Sequence, residues 1–304
     1  MHQDSSSIGF MTGASGIHAL SAAISIAMNN ISDAKQSIQY LFNIAEGFHL
    51  SAMFESEVLY GFAGYMLSIL FIMKHLPEYI YDINKAKEIL DRCFIILHNS
   101  STNIVKFSFH DSKYIGAAHG LAGVLFTMLQ IPLVKDSKYK DKLQISLDAM
   151  IRYGKDGKYC RKVDDPSKIF QWCHGSPGII STLLKASEIY GDEKYQRLAE
   201  EAIEETWKNG ILTKGNNLCH GISGNSYVFF QMYQNTRKQK YLYYAYQFYQ
   251  SSISKRIQVH SYASKSKGIN LMEGLLGHGC FCLNIIEDPK DAFFPGYDND
   301  IVYP

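Results

Sequence analysis

Apolar residues along the chain fall into two alternating kinds of segment. One is apolar nearly all round, as in Ile17 to Ala27 and in Val58 to Met73, and such a helix belongs inside. The other keeps a single apolar face. In Lys194 to Trp207 the buried-type positions 195, 198, 199, 202, 203, 206 and 207 recur at the spacing of an amphipathic helix. Val58 to Met73 is interrupted by Gly61 and Gly64 and closed by Lys74. It falls short of the ~20 residues of a membrane span and reads as a buried helix.

A Gly-x-x-Gly pair opens each apolar segment: Gly13/Gly16, Gly61/Gly64, Gly120/Gly123, Gly175/Gly178, Gly221/Gly224 and Gly274/Gly277. The first glycines lie 48, 59, 55, 46 and 53 residues apart, which predicts a repeat architecture. Each unit is expected to be an inner apolar helix followed by an outer amphipathic one. Six such pairs stack as an open solenoid or close as a ring of inner helices within outer ones. A glycine without a Cβ suits the crowded start of an inner helix. Dinucleotide binding by these glycines is excluded, because no strand is expected before the motifs and no βαβ pattern surrounds them.

Hydrophobic residues make up 46% of the 304 and charged residues 19%, enough apolar surface for one large core, so residues 1–304 are expected to form a single domain. Thirty Lys and Arg against 29 Asp and Glu leave +1, which gives nucleic acid or an anionic membrane no electrostatic claim on the chain. Six cysteines are too sparse for a disulfide framework at this length. Met1 to Ser7 has no basic start leading into an apolar core, and Asp300 to Pro304 carries no prenylation cysteine, so a cytoplasmic location and reduced thiols are expected.

The residue before each first glycine occupies one equivalent place in the repeat. That place holds Thr12, Tyr60, His119, His174, His220 and Glu273, all polar or titratable. Three histidines on one register point to a shared site. Two consecutive units add a cysteine one place earlier, Cys173 before His174 and Cys219 before His220. Two thiolates and an imidazole with an open fourth position form the pattern of a catalytic zinc site, and soft sulfur ligands favour zinc over magnesium or manganese. Spacing leaves His174 and His220 as competing nitrogen ligands. His119, one unit earlier, is a candidate general acid or base. Cys93, Cys280 and Cys282 read as packing residues, and Cys160 as an exposed thiol in a polar loop over 155–162.

At these residues the chain resembles the lanthionine synthetase C-like proteins, the eukaryotic relatives of bacterial lantibiotic cyclases. The resemblance rests on Ala117 to Gly123, on Trp172 to Gly178 and on Leu218 to Asn225, with weaker matches at Leu59-Tyr60-Gly61 and Glu273-Gly274. It implies an all-α toroid of inner and outer helix pairs, six of the usual seven being visible here, with the first pair missing. It also implies one zinc per chain on Cys173, Cys219 and His220, and an active-site histidine at His119. In the eukaryotic branch the metal activates glutathione, whose thiolate adds to dehydroalanine or dehydrobutyrine in peptides or proteins to form a thioether. Lys214 matches a lysine linked there to glutathione binding or catalysis, and Glu57 resembles an acidic active-site position of the bacterial cyclases. His174 and Glu273 complete the expected glutathione-binding set. Phe62 stands where that branch commonly has arginine, and Ala14 where an acidic residue is frequent. A ring short of one unit would leave apolar helix edges exposed. The alternative to a zinc-dependent glutathione transferase is a non-catalytic scaffold that binds zinc and glutathione. A terpenoid-type barrel would need a carboxylate-rich cavity, and the register offers one Glu among three histidines.

Overall fold

The computed structural model describes residues 7–98, 102–135, 137–254 and 268–298. The N-terminal start and the tail after 298, on which the leader and prenylation expectations rest, lie outside these described residues, apart from Ser7. The chain divides into two compact units. One draws on residues up to 113 and on 119–149, the other on 114–118 and 150–298.

In the first unit, α1 (Ala14–Ala27) is backed by α2 (Ile31–Asn43), and α3 (Phe62–His75) by α4 (Ile83–Leu97). A two-residue-turn hairpin, β1 (Ser108–Phe109) and β2 (Ser112–Lys113), comes before α5 (Leu121–Leu129) and α6 (Ser137–Ile151). In the second unit an antiparallel sheet of β3 (Gly154–Lys155), β4 (Lys158–Lys162) and β5 (Asp165–Lys168) precedes α7 (Ser176–Tyr190) and α8 (Glu193–Asn209). The pair α9 (Ile222–Thr236) and α10 (Gln239–Ile253) follows, then α11 (Leu275–Ile286).

The glycine periodicity maps onto this order directly. Gly13, Gly61, Gly120, Gly175, Gly221 and Gly274 are the N-cap residues of α1, α3, α5, α7, α9 and α11, each in extended backbone. The second glycines let the helix start touch the chain that leads into it. A Cβ at Gly224 would overlap the Leu218 carbonyl, and one at Gly178 the Trp172 carbonyl. Three of the backing helices use side-chain caps instead, with Asn30, Asp82 and Asp192 accepting first-turn N–H groups at α2, α4 and α8.

Four glycine-capped helices behave as apolar-all-round helices should. Every residue of α5 is buried, as are Phe62 to Leu70 of α3, Ser176 to Ala186 of α7 and Ile222 to Phe230 of α9. The end helices depart from that expectation. α1 buries Ser15, Gly16, Ala19 and Ala22 but leaves Ile17 59% and Ile24 59% exposed. α11 buries Gly277 and Phe281 and leaves Leu276 52% and Ile286 76% exposed. A helix this apolar needs neighbours on every side, and among the described residues these two have them on one side only.

Four further expectations need correction. No backing helix follows α11 among the described residues, so five complete pairs and a sixth capped helix replace six pairs. The buried run from Val58 begins as a turn, and α3 starts at Phe62 because Gly61 is its cap. Short strands do precede two of the motifs, although both sheets are antiparallel and no βαβ unit forms among the described residues. Cys160 lies in β4, half-buried, with the Lys168 ammonium 2.9 Å from its sulfur. The Gly154–Lys168 stretch reads as loop because its strands are too short and too polar to show an alternating pattern.

Candidate functional site

The loops that enter the capped helices are built alike. In the second unit the residue two before each glycine joins a relay of backbone hydrogen bonds. Ala118 N–H donates to the Cys173 carbonyl, Cys173 N–H to the Cys219 carbonyl, and Cys219 N–H to the Met272 carbonyl, at 3.1, 3.1 and 2.8 Å. The residue four before each glycine holds the turn. Asn217 Oδ1 accepts the His220 N–H at 2.9 Å, and Asn270 Oδ1 accepts the Glu273 N–H at 2.6 Å. These are Asx-type turns, in which a short polar side chain substitutes for a backbone partner.

This backbone frame gathers Cys173, Cys219 and His220. One donor atom from each lies within 4.8 Å of the others, the three-residue metal-type cluster found among the described residues. Cys173 is buried and Cys219 and His220 are half-buried. The Cys219 thiol is pushed down, first by the hydrogen bond from Cys173 and then by His220. The Cys173 thiol is pushed up because it donates that hydrogen bond and is desolvated. Cys219 is therefore the first of the pair to ionise.

A metal fits this donor set. Ligands at ~2.0–2.3 Å around a tetrahedral ion lie roughly 3.3–3.8 Å apart, so the three atoms already stand near the required spacing. Two sulfurs and one nitrogen are the chemistry zinc takes. Two charges bear on the pair. Exposed Lys214 pulls the Cys173 thiol downwards, and Glu273 pushes the Cys219 thiol upwards. His174 is not one of the three donors. Its ring packs against Tyr114 at 4.8 Å, and its backbone N–H donates to the Gln171 carbonyl.

The first unit carries a different pair on the same register. His119 Nδ1 and Glu57 Oε2 are 2.8 Å apart, and Glu57 is fully buried. Both carboxylate oxygens also accept backbone N–H groups, Oε2 from Leu59 at 2.9 Å and Oε1 from Tyr60 at 2.6 Å. An acceptor so occupied takes a proton donor from the imidazole. The network thus assigns the hydrogen to Nδ1 and the ring's lone pair to Nε2.

Several contributors were missed in the sequence. Gln171, Asn217 and Asn270 stand four before their glycines, the place of Glu57 in its own unit, so a second polar register was readable there. Gln171 Oε1 lies 3.5 Å from the Cys173 sulfur. Phe109, stacked on His119, and Tyr114 come from irregular insertions that carry no periodic signal.

Comparison with known proteins places this chain in a family. The model described as "Lanthionine synthetase C-like protein" matches residues 2–298. The chain is 29% identical over 256 residues to "Glutathione S-transferase LANCL1" of Danio rerio, covering 80% of this chain and 62% of that protein. It is 29% identical over 307 residues to "LanC-like protein GCL1" of Arabidopsis thaliana, covering 95% of this chain and 70% of that one. Among solved structures, nisin cyclase shares the fold at a TM-score of 0.68 and 17% identity, over 90% of this chain and 75% of its own. The chain thus spans less than two thirds of the Danio rerio relative. Among the described residues, no helix is long and apolar enough to cross a membrane. The family model runs through both cysteine motifs and the His119 motif, and the chain belongs to the lanthionine synthetase C-like family.

Proposed function

We propose that this chain catalyses addition of a thiol, glutathione, to dehydroalanine or dehydrobutyrine in peptides or proteins, forming a thioether in the cytoplasm. The observation that carries the reading is the clustering of Cys173, Cys219 and His220 as a soft three-donor set. Zinc bound there supplies a positive charge that lowers the pKa of a thiol near neutral pH. The name of the Danio rerio relative, a glutathione S-transferase, agrees with thiol chemistry.

The remaining roles belong to side chains. The thiol gives up its proton and its sulfur bonds to the β-carbon. The carbon–carbon double bond becomes single, and the α-carbon takes a proton, so the balance is addition of S–H across C=C. His119 Nε2 takes up the proton the thiol releases and passes it to the α-carbon, while Glu57 fixes the ring and steadies the imidazolium. Lys214, His174 and Glu273 are assigned to glutathione, the exposed Lys214 ammonium being suited to one of its carboxylates. The exposed apolar faces of α1 and α11 favour the second reading, a non-catalytic scaffold that binds zinc and glutathione and docks partners through those faces.

Mass spectrometry of a dehydroalanine peptide incubated with glutathione and zinc-loaded protein separates the two. Turnover by the wild type that falls about 10²–10⁴-fold in His119→Asn, with zinc content kept, is the expected result. No adduct at any zinc loading would sink the enzyme and leave the scaffold.

A further inference from the structure

The β1–β2 hairpin is the least expected element of the first unit, and its geometry is costly. His110 and Asp111, its two central residues, have φ of 44° and 61°, the left-handed pair that a two-residue hairpin turn requires and that Asn-Gly usually supplies. Neither is glycine, so the turn carries backbone strain. The hairpin tip is tied back where the His110 N–H points at Glu55 Oε1, 3.5 Å away, two residues before Glu57.

What the strained hairpin holds is Phe109. Its ring lies 4.2 Å from the His119 ring, tilted by only 15°. Tyr60 is nearly parallel to both, at 5.7 Å and 9° from Phe109 and 6.1 Å and 6° from His119. Glu57 constrains one edge of the imidazole through Nδ1, which still allows rotation about that hydrogen bond. A parallel ring against the imidazole face removes that remaining freedom and sets the plane in which Nε2 points.

From this we infer that Phe109 is a positioning residue for His119. The hairpin presses an aromatic face onto the imidazole so that Nε2 is aimed at the reacting carbon of the substrate. The inference rests on the reading of His119 as the proton donor. A Leu in place of Phe109 keeps apolar burial but offers no flat face, whereas a Tyr keeps the face.

The test joins kinetics with nuclear magnetic resonance of histidine-labelled, zinc-loaded protein, the His119 signals being assigned by their loss in His119→Asn. In the wild type, the ring protons of His119 are expected to be displaced by the currents of the stacked rings. Phe109→Ala and Phe109→Leu should return those signals towards free histidine and lower kcat about 10- to 100-fold with KM little changed. Phe109→Tyr should restore both. Ring signals that stay put in Phe109→Leu, or a loss of kcat that Phe109→Tyr does not rescue, would overturn the inference. If the wild type itself proves inactive, the proposed function falls, and the ring signals alone decide whether Phe109 sets the imidazole plane.

Discussion

The two units use one loop design for different chemistry. Four residues before its glycine, each of three loops places a side chain that accepts a backbone N–H, Glu57 in the first unit and Asn217 and Asn270 in the second. In the second unit that side chain is neutral, and the charge is left to a pair of thiols and the groups around them. In the first it is a carboxylate whose other oxygen also engages His119. The loops thus share one way of holding the backbone, and a carboxylate in place of an amide adds a contact with a histidine ring.

The sharpest way to break this comparison is to remove one charge from each side. Cys219→Ala should take zinc from about one per chain to background by elemental analysis, since a site with two remaining donors is too poor for the ion. Glu57→Ala should leave the zinc content intact and cost turnover instead. Loss of zinc from Glu57→Ala would show that the two clusters are not independent.

A smaller effect is expected at Gly116. A Cβ there would overlap the Cys173 carbonyl and the His174 backbone. Gly116→Ala should therefore destabilise the protein by about 1–3 kcal/mol, read as a lower thermal midpoint. An unchanged midpoint would mean that the loop yields without cost.

The smallest effect concerns protons. Cys173 holds its proton because its thiol is pushed up, whereas the Cys219 thiol is pushed down and is the first to ionise. Near neutral pH, zinc loading should release about one proton, from Cys173. As pH falls below the depressed Cys219 value, that thiol must also be deprotonated, so apparent zinc affinity drops and its slope against pH steepens. Calorimetry in buffers of different ionisation enthalpy reads the proton count, and a slope constant across this range would contradict the split between the two thiols.

Much of this molecule is legible in its sequence because its glycines are periodic. Every one of the six expected helix starts lies at its first glycine, and the two cysteines share a register that survives into the donor cluster. What escaped has physical causes. Phe109 and the Gly154–Lys168 sheet sit in insertions between units, where strands of two to five residues leave no periodic trace. The exposure of Ile17 and Ile286 agrees with the resemblance, which implies a ring short of one unit with exposed apolar edges, but it does not follow from composition. α1 and α11 are as apolar as α3, and composition records the appetite of a helix for neighbours without saying whether it has them.

The relay of backbone hydrogen bonds from Ala118 through Cys173 and Cys219 to Met272 bears on how the protein assembles. Each link joins residues some fifty positions apart, so none forms until consecutive repeats have docked, and closing such loops is slow compared with helix formation. The thiols reach their common position only at the end of that process. A nascent or partly unfolded chain therefore presents separated cysteines, and on the proposed zinc site tight retention of the ion would be a late mark of repeats that have stacked in order.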